Sequence, residues 1–174
     1  MSMTASDITS VCAILLSLYA LVSTRRHNRL SVNPHLADYT NKLTTNEGLT
    51  LTYEISNNGI GPARIKSFVL FREGKPFPKE KDDYVESFVR EHLGNRLKYD
   101  IRHSFNFGKD DSLKAGDMRH ILEIFFPGAK LENREQILGM FEGIGLRIEY
   151  ESFYGQKFVL DRRNENKLKN SLLK

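Results

Sequence analysis

The side chains able to do chemistry are scattered along this chain. Five histidines, His27, His35, His92, His103 and His120, and a single cysteine, Cys12, fall at no spacing that a zinc site uses. Asp82-Asp83 and Asp110-Asp111 are adjacent acidic pairs. Sequence neighbours point apart on a helix or a strand, so both pairs read as solvated surface rather than as acid–base dyads. The chain has no P-loop and no nucleophile elbow. The residues therefore predict a protein that is not an enzyme, with no catalytic residues, no metal and no cofactor.

Two local patterns come nearest to a site. Arg96 and His103 are separated by six residues, a spacing used by helical ribonucleases of the HEPN type. Those enzymes carry the pair on one helix, whereas RLKYDIRHSFNF is rich in strand formers. Gly59, Gly61 and Pro62 have the flexibility of a phosphate loop. A phosphate loop feeds a helix N-terminus, and Ala63 to Phe71 reads as a strand. Asn58, Gly59, Gly61 and Pro62 are thus expected to form a structural turn. His27 and His35 flank the junction that follows the apolar N-terminal segment and read as interfacial polar groups, the place where a pH sensor would sit.

Composition bounds what must position these residues. Of 174 residues, about 150 follow the N-terminal segment, enough for one domain with a core. Hydrophobic residues at 40% and charged residues at 28% are globular values. A net charge of +4 without a basic stripe argues against a nucleic-acid partner. The basic residues gather instead after the apolar segment and at the C-terminus, and the cysteine-free domain fits a reducing compartment.

Residues 1–24 read as a transmembrane helix. Ile8 to Thr24, ITSVCAILLSLYALVST, carries no charge. At ~1.5 Å per residue it spans about 25 Å, short for a ~30 Å hydrocarbon core. Snorkelling arginines and bilayer thinning accommodate such a mismatch. Asp7 precedes the run and TRRHNR follows it, the reverse of a cleaved signal peptide. Arg25, Arg26 and Arg29 form a basic junction over residues 25–30, which places the N-terminus outside and the remainder in the cytoplasm. Ser6, Ser10, Ala13, Ser17, Ala20 and Thr24 recur at alternating spacings of three and four. Such a stripe of small residues lets membrane helices pack closely, so self-association is expected.

Residues 30–161 read as a β domain. Leu30 to Tyr39 is extended but broken by Pro34. Leu49 to Ser56 alternates apolar and polar, and Ala63 to Phe71 follows the turn. Glu80 to Leu93 reads as a helix with Tyr84, Val85, Phe88, Val89 and His92 on one face and Gly94 as its stop. His103 to Phe107 and Arg119 to Phe126 read as strands around a polar loop at Asp110 to Asp117. Asn133 to Phe141 reads as a second helix with Asn133 as its N-cap. Leu146 to Phe153 and Gln156 to Leu160 read as a hairpin around Tyr154-Gly155. The basic tail, residues 162–174, carries Leu168, Leu172 and Leu173 as a weak amphipathic turn. The sum is a mainly β, immunoglobulin-like antiparallel β-sandwich with two short helical insertions. It lacks the Cys…Trp…Cys core, because the chain has no tryptophan.

RRHNRLSVNPHL at Arg25 to Leu36, followed by SNNGIGPARI at Ser56 to Ile65, resembles a group of small bacterial inner-membrane proteins of uncharacterised function. They pair one N-terminal helix with a cytoplasmic β-sandwich. The resemblance covers about the first 75 residues, implies the bacterial inner membrane as location and supplies no catalytic residues.

Two functions fit. The first is a non-enzymatic anchored module whose partners are the lipid bilayer, an unknown cytoplasmic protein and further copies of itself. The second is an oligomeric pore-type effector of a bacterial antiviral system, CRISPR-associated systems being one example. There the stripe would close a ring of helices, an analogy of architecture alone.

Overall fold

The computed structural model describes residues 5–30, 32–79, 83–94 and 96–163. The tail beyond 163, with Leu168, Leu172 and Leu173, lies outside them, as do residues 80–82 of the expected helix. The fold is mainly β, with antiparallel pairing throughout the described strands.

The N-terminal helix α1, Ala5–Leu30, runs well past the end of its apolar stretch. Arginine, histidine and asparagine continue it beyond Thr24, and it ends ahead of Asn33-Pro34, where proline disfavours helix in the residue before it. The expected basic junction at 25–30 is therefore helical. From Thr9 to Asn28 its side chains are exposed except for the half-buried Ser23. Among the described residues no helix is long and apolar enough to cross a membrane. The span expected over 1–24 is thus not supported: serines and a threonine dilute the apolar run, which gives way to Arg25-Arg26.

Two sheets follow. One has the order β1-β2-β7-β5, with β1 Leu36–Thr44, β2 Gly48–Asn57, β7 Met118–Pro127 and β5 Asp100–Ser104. The other has β4 Lys75–Pro76, β3 Ala63–Arg72, β8 Ile144–Glu151 and β9 Lys157–Asp161 in that order, with β6 Ser112–Leu113 pairing the start of β3. Alternation in β2 sends Leu49, Leu51, Ile55 and Asn57 inward. Leu49, Leu51 and Ile55 join Ile65, Phe68 and Ile148 of the opposite sheet in one apolar core.

Helix α2, Tyr84–Leu93, closes part of this core with Tyr84, Val85, Phe88, Val89 and Leu93 buried. His92 is half-buried; its ring stacks on Phe88 and its Nε2 lies 2.6 Å from the Met140 carbonyl. Gly94 ends the helix at φ 55° with its amide on the Arg90 carbonyl, a conformation that suits glycine.

Four boundaries differ from expectation. The strand expected from Leu30 starts at Leu36, because residues 32–35 are pinned as the domain's entry. The strand expected at His103–Phe107 lies earlier, at Asp100–Ser104. The loop expected from Asp110 to Asp117 contains β6. Asn133 stands at the N-cap position of α3, Arg134–Gly139, but its side chain makes no bond to that helix; its Oδ1 accepts the Lys130 amide at 3.0 Å, closing a 3-10 turn before it.

Candidate functional site: the junction between helix and sheets

Asn57, the last residue of β2, is wholly buried and fully used. Its Oδ1 accepts the amides of His35 (3.0 Å) and Gly59 (3.1 Å). Its Nδ2 donates to the carbonyls of Gly61 (2.8 Å) and Leu113 (3.0 Å). One amide therefore ties together the domain's entry, the turn after β2 and the end of β6. A buried side chain with every polar position paired specifies one arrangement, because any rival leaves a group unsatisfied.

The turn then grips the entry segment through its backbone. The Asn58 amide donates to the His35 carbonyl at 2.8 Å, and the Ile60 amide to the Asn33 carbonyl at 3.1 Å. The fit requires glycine twice. A Cβ on Gly59 would stand 2.4 Å from the Asn33 carbonyl oxygen, and one on Gly61 would stand 1.8 Å from that of Val32. Asn58 faces outward, its Nδ2 donating to the Tyr39 hydroxyl at 2.7 Å while its Oδ1 accepts the Ser56 hydroxyl at 2.8 Å. The expected structural turn of Asn58, Gly59, Gly61 and Pro62 thus does more than reverse the chain, because it also clasps the segment that leaves α1.

The other expected residues spread along α1. Ser10, Ala13, Ser17, Ala20 and Thr24 are exposed, and the Ser17 hydroxyl donates to the Ala13 carbonyl at 2.8 Å. Arg25, Arg26 and His27 are exposed near its end. The side chains of Ser6 and Arg29 lie outside the described residues.

The chemistry-bearing residues gather only in part. Arg96 sits in a loop and His103 on β5, so the helical nuclease pair is not assembled. Asp110 is engaged by Lys66 (2.8 Å) and Arg64 (3.2 Å). The hydrogen bond from Lys66 holds its carboxyl below the usual carboxylate range. Asp111 accepts the Gly108 amide at 2.8 Å.

One pairing had no signal in sequence spacing. Buried Glu54 of β2 holds His120 Nε2 at 3.0 Å and accepts the Asn41 amide at 2.7 Å. Strand register alone brings these three together, since β1 and β7 flank β2. In this setting the carboxylate–imidazole pair is a cross-strand link. Among the described residues no three histidine, cysteine, aspartate or glutamate side chains are grouped to hold a metal ion.

The buried hub Asn57 and the grip on Asn33 to His35 have no direct signature in the sequence. The dense Asn-Asn-Gly-Ile-Gly-Pro run is the nearest signal, since two glycines so close suggest a tight backbone approach as well as a turn. Comparison with protein-family models, with curated proteins and with solved structures finds no match for this chain.

Proposed function

We propose that this protein is a membrane-anchored binding module. In this reading α1 is embedded in a bacterial inner membrane with its N-terminus outside, and the β domain faces the cytoplasm and binds a protein partner without doing chemistry. The carrying observation is the exposure of α1. Val11, Ile14, Leu15, Leu18, Leu21 and Val22 share one face of the helix, with exposed Leu16 and Tyr19 beside it, and none is covered by the sheets. So large an exposed apolar face needs an apolar surrounding, and the opposite face, Ser10, Ala13, Ser17, Ala20 and Thr24, carries none of the charge that a helix lying on a membrane surface keeps there. The Ser17 hydroxyl, turned back onto the Ala13 carbonyl, suits the same medium. The short run is accommodated by Arg25 and Arg26, whose stems reach from the hydrocarbon edge to the headgroups.

The strand order supports an immunoglobulin-like domain, a scaffold widely used for binding. β1-β2-β7-β5 and β3-β8-β9 follow the A-B-E-D and C-F-G orders of constant-type domains, with β4 as an added edge strand.

The stripe from Ser6 to Thr24 supports self-association of α1, and a pore-type effector is the alternative. The anchor is preferred because it needs only the exposed apolar face of α1, whereas a pore needs in addition a closed ring of copies packed through the stripe.

Alkaline carbonate extraction of cells producing the full chain tests the anchor. Retention in the membrane pellet is expected, with release on Leu15→Arg and Leu18→Arg together. Release of the unaltered chain would refute it.

A further inference from the structure

We infer that the pole of the β domain around the helix junction is itself a lipid-binding surface, docking onto anionic phospholipid headgroups. This rests on the anchored reading and deepens it: the sheets would lie on the bilayer rather than hang beside it.

Strand direction defines the pole. β1 and β3 start there, and β2 and β8 end there. The Leu36 amide donates to the Tyr150 hydroxyl at 3.2 Å, bringing the end of β8 against the start of β1. The β8–β9 hairpin tip and the turn after β2 are therefore neighbours at the same end as α1's exit.

That pole exposes large apolar groups. Ile60 at the turn is 76% exposed, and Phe153 and Tyr154 at the hairpin tip are 78% and 45% exposed. Met118, which pairs Ser56 at the start of β7, is 50% exposed. Aromatic and branched side chains on loop tips, beside exposed Lys114, Arg119 and Lys157, suit the headgroup layer. Asp117 stands exposed among them, while Asp110 is neutralised by Lys66 and Arg64.

Distance gives the second argument. From Arg25 to Leu30 the helix rises about 7.5 Å at ~1.5 Å per residue. That is close to the thickness of one headgroup layer, roughly 5–8 Å. A single residue then separates Leu30 from Val32, whose carbonyl oxygen would lie 1.8 Å from a Cβ on Gly61. With the apolar run in hydrocarbon, so short a tether holds the pole at the headgroup surface.

Nitroxide labels on the full chain in phosphatidylethanolamine–phosphatidylglycerol vesicles test this. One sample is labelled at native Cys12. The others carry Cys12→Ser with Ile60→Cys, Phe153→Cys or, at the far end of β1, Leu43→Cys. Collision with oxygen, which concentrates in the bilayer, is compared with collision with a water-soluble nickel chelate. The expected result is oxygen-dominated relaxation at 12, an oxygen-to-nickel ratio at 60 and 153 well above that at 43, and nickel-dominated relaxation at 43. Oxygen-dominated relaxation at 12 with nickel-dominated relaxation at 60 and 153 overturns the docking and leaves the anchor standing. Nickel-dominated relaxation at 12 overturns both. Shielding of 60 and 153 from both reagents overturns lipid docking and assigns the pole to a protein contact.

Discussion

The amide of Leu36 donates to the hydroxyl of Tyr150 at 3.2 Å, across 114 residues of sequence. The bond joins the first residue of one sheet to a central strand of the other, inside the core. Arg162 and Asp38 repeat the link farther along, Nε to Oδ1 at 2.7 Å, with the Tyr53 hydroxyl donating to Asp38 Oδ2 at 3.1 Å. Together they lock the edge strand β1 against the second sheet. The segment leaving α1 is therefore attached to both sheets at once.

Tyr150→Phe leaves the ring stacked on Phe158 but strands a buried amide. A loss of about 1–3 kcal/mol in urea unfolding is expected. An unchanged midpoint would show that water or another group satisfies Leu36.

Gly61→Ala places a methyl group against the Val32 carbonyl. Backbone there cannot retreat without breaking the Asn33 and His35 bonds, so a cost of about 1–3 kcal/mol is expected. The same change at exposed Gly139, whose Cβ would meet nothing within 4 Å, is the control and should be tolerated. Equal effects at both sites would remove the clasp from the account.

Asn57→Asp keeps the acceptor for His35 and Gly59 but sets carboxylate oxygen against the carbonyls of Gly61 and Leu113. Buried charge facing carbonyls is expected to cost about 3 kcal/mol or more, in line with other broken buried networks. Calorimetry should show this loss shrinking toward acid pH as the aspartate becomes protonated. A loss independent of pH would mean that charge is not its cause.

The Asp110–Lys66 pair makes a pH prediction with a definite sign. The Lys66 hydrogen bond depresses the folded-state pKa of Asp110. Its contribution is therefore present above the unfolded carboxylate value near ~3.9 and is lost as pH falls through the folded value. Asp110 has φ 70°, which asparagine tolerates, so Asp110→Asn removes the charge without backbone strain. The difference between the two proteins in urea midpoint should be small at neutral pH and vanish in strong acid. A difference constant across that range would assign the effect to something other than the ion pair.

Ala13→Leu with Ser17→Leu fills the small-residue stripe. Light scattering on the detergent-solubilised chain should show a lower mass than the unaltered protein if α1 self-associates through that stripe. Identical masses would place the packing seam elsewhere.

Several elements were legible because their signals are local. Alternation in Leu49 to Ser56 placed β2, the apolar stripe from Tyr84 to Val89 placed α2, and Tyr154-Gly155 placed the last hairpin, where Gly155 adopts φ 76°. Helix and strand boundaries around Arg25 to Leu36 differ from what local pattern suggests. The brake on α1 is not the change from apolar to basic residues but the approach to Pro34 and the grip of the next turn.

By itself the sequence determined the inventory: an uncharged N-terminal run followed by arginines, short alternating strands, and a run of asparagine and glycine able to turn tightly. Those properties reside in single residues and their near neighbours. Only the tertiary structure decided that Asn57 would be the buried hub, that Gly59 and Gly61 would receive residues 32–35, and that Ile60 and Phe153 would share one pole. These relations join segments far apart in the chain, and which strand pairs with which is settled by burial of the whole core, not by any local pattern.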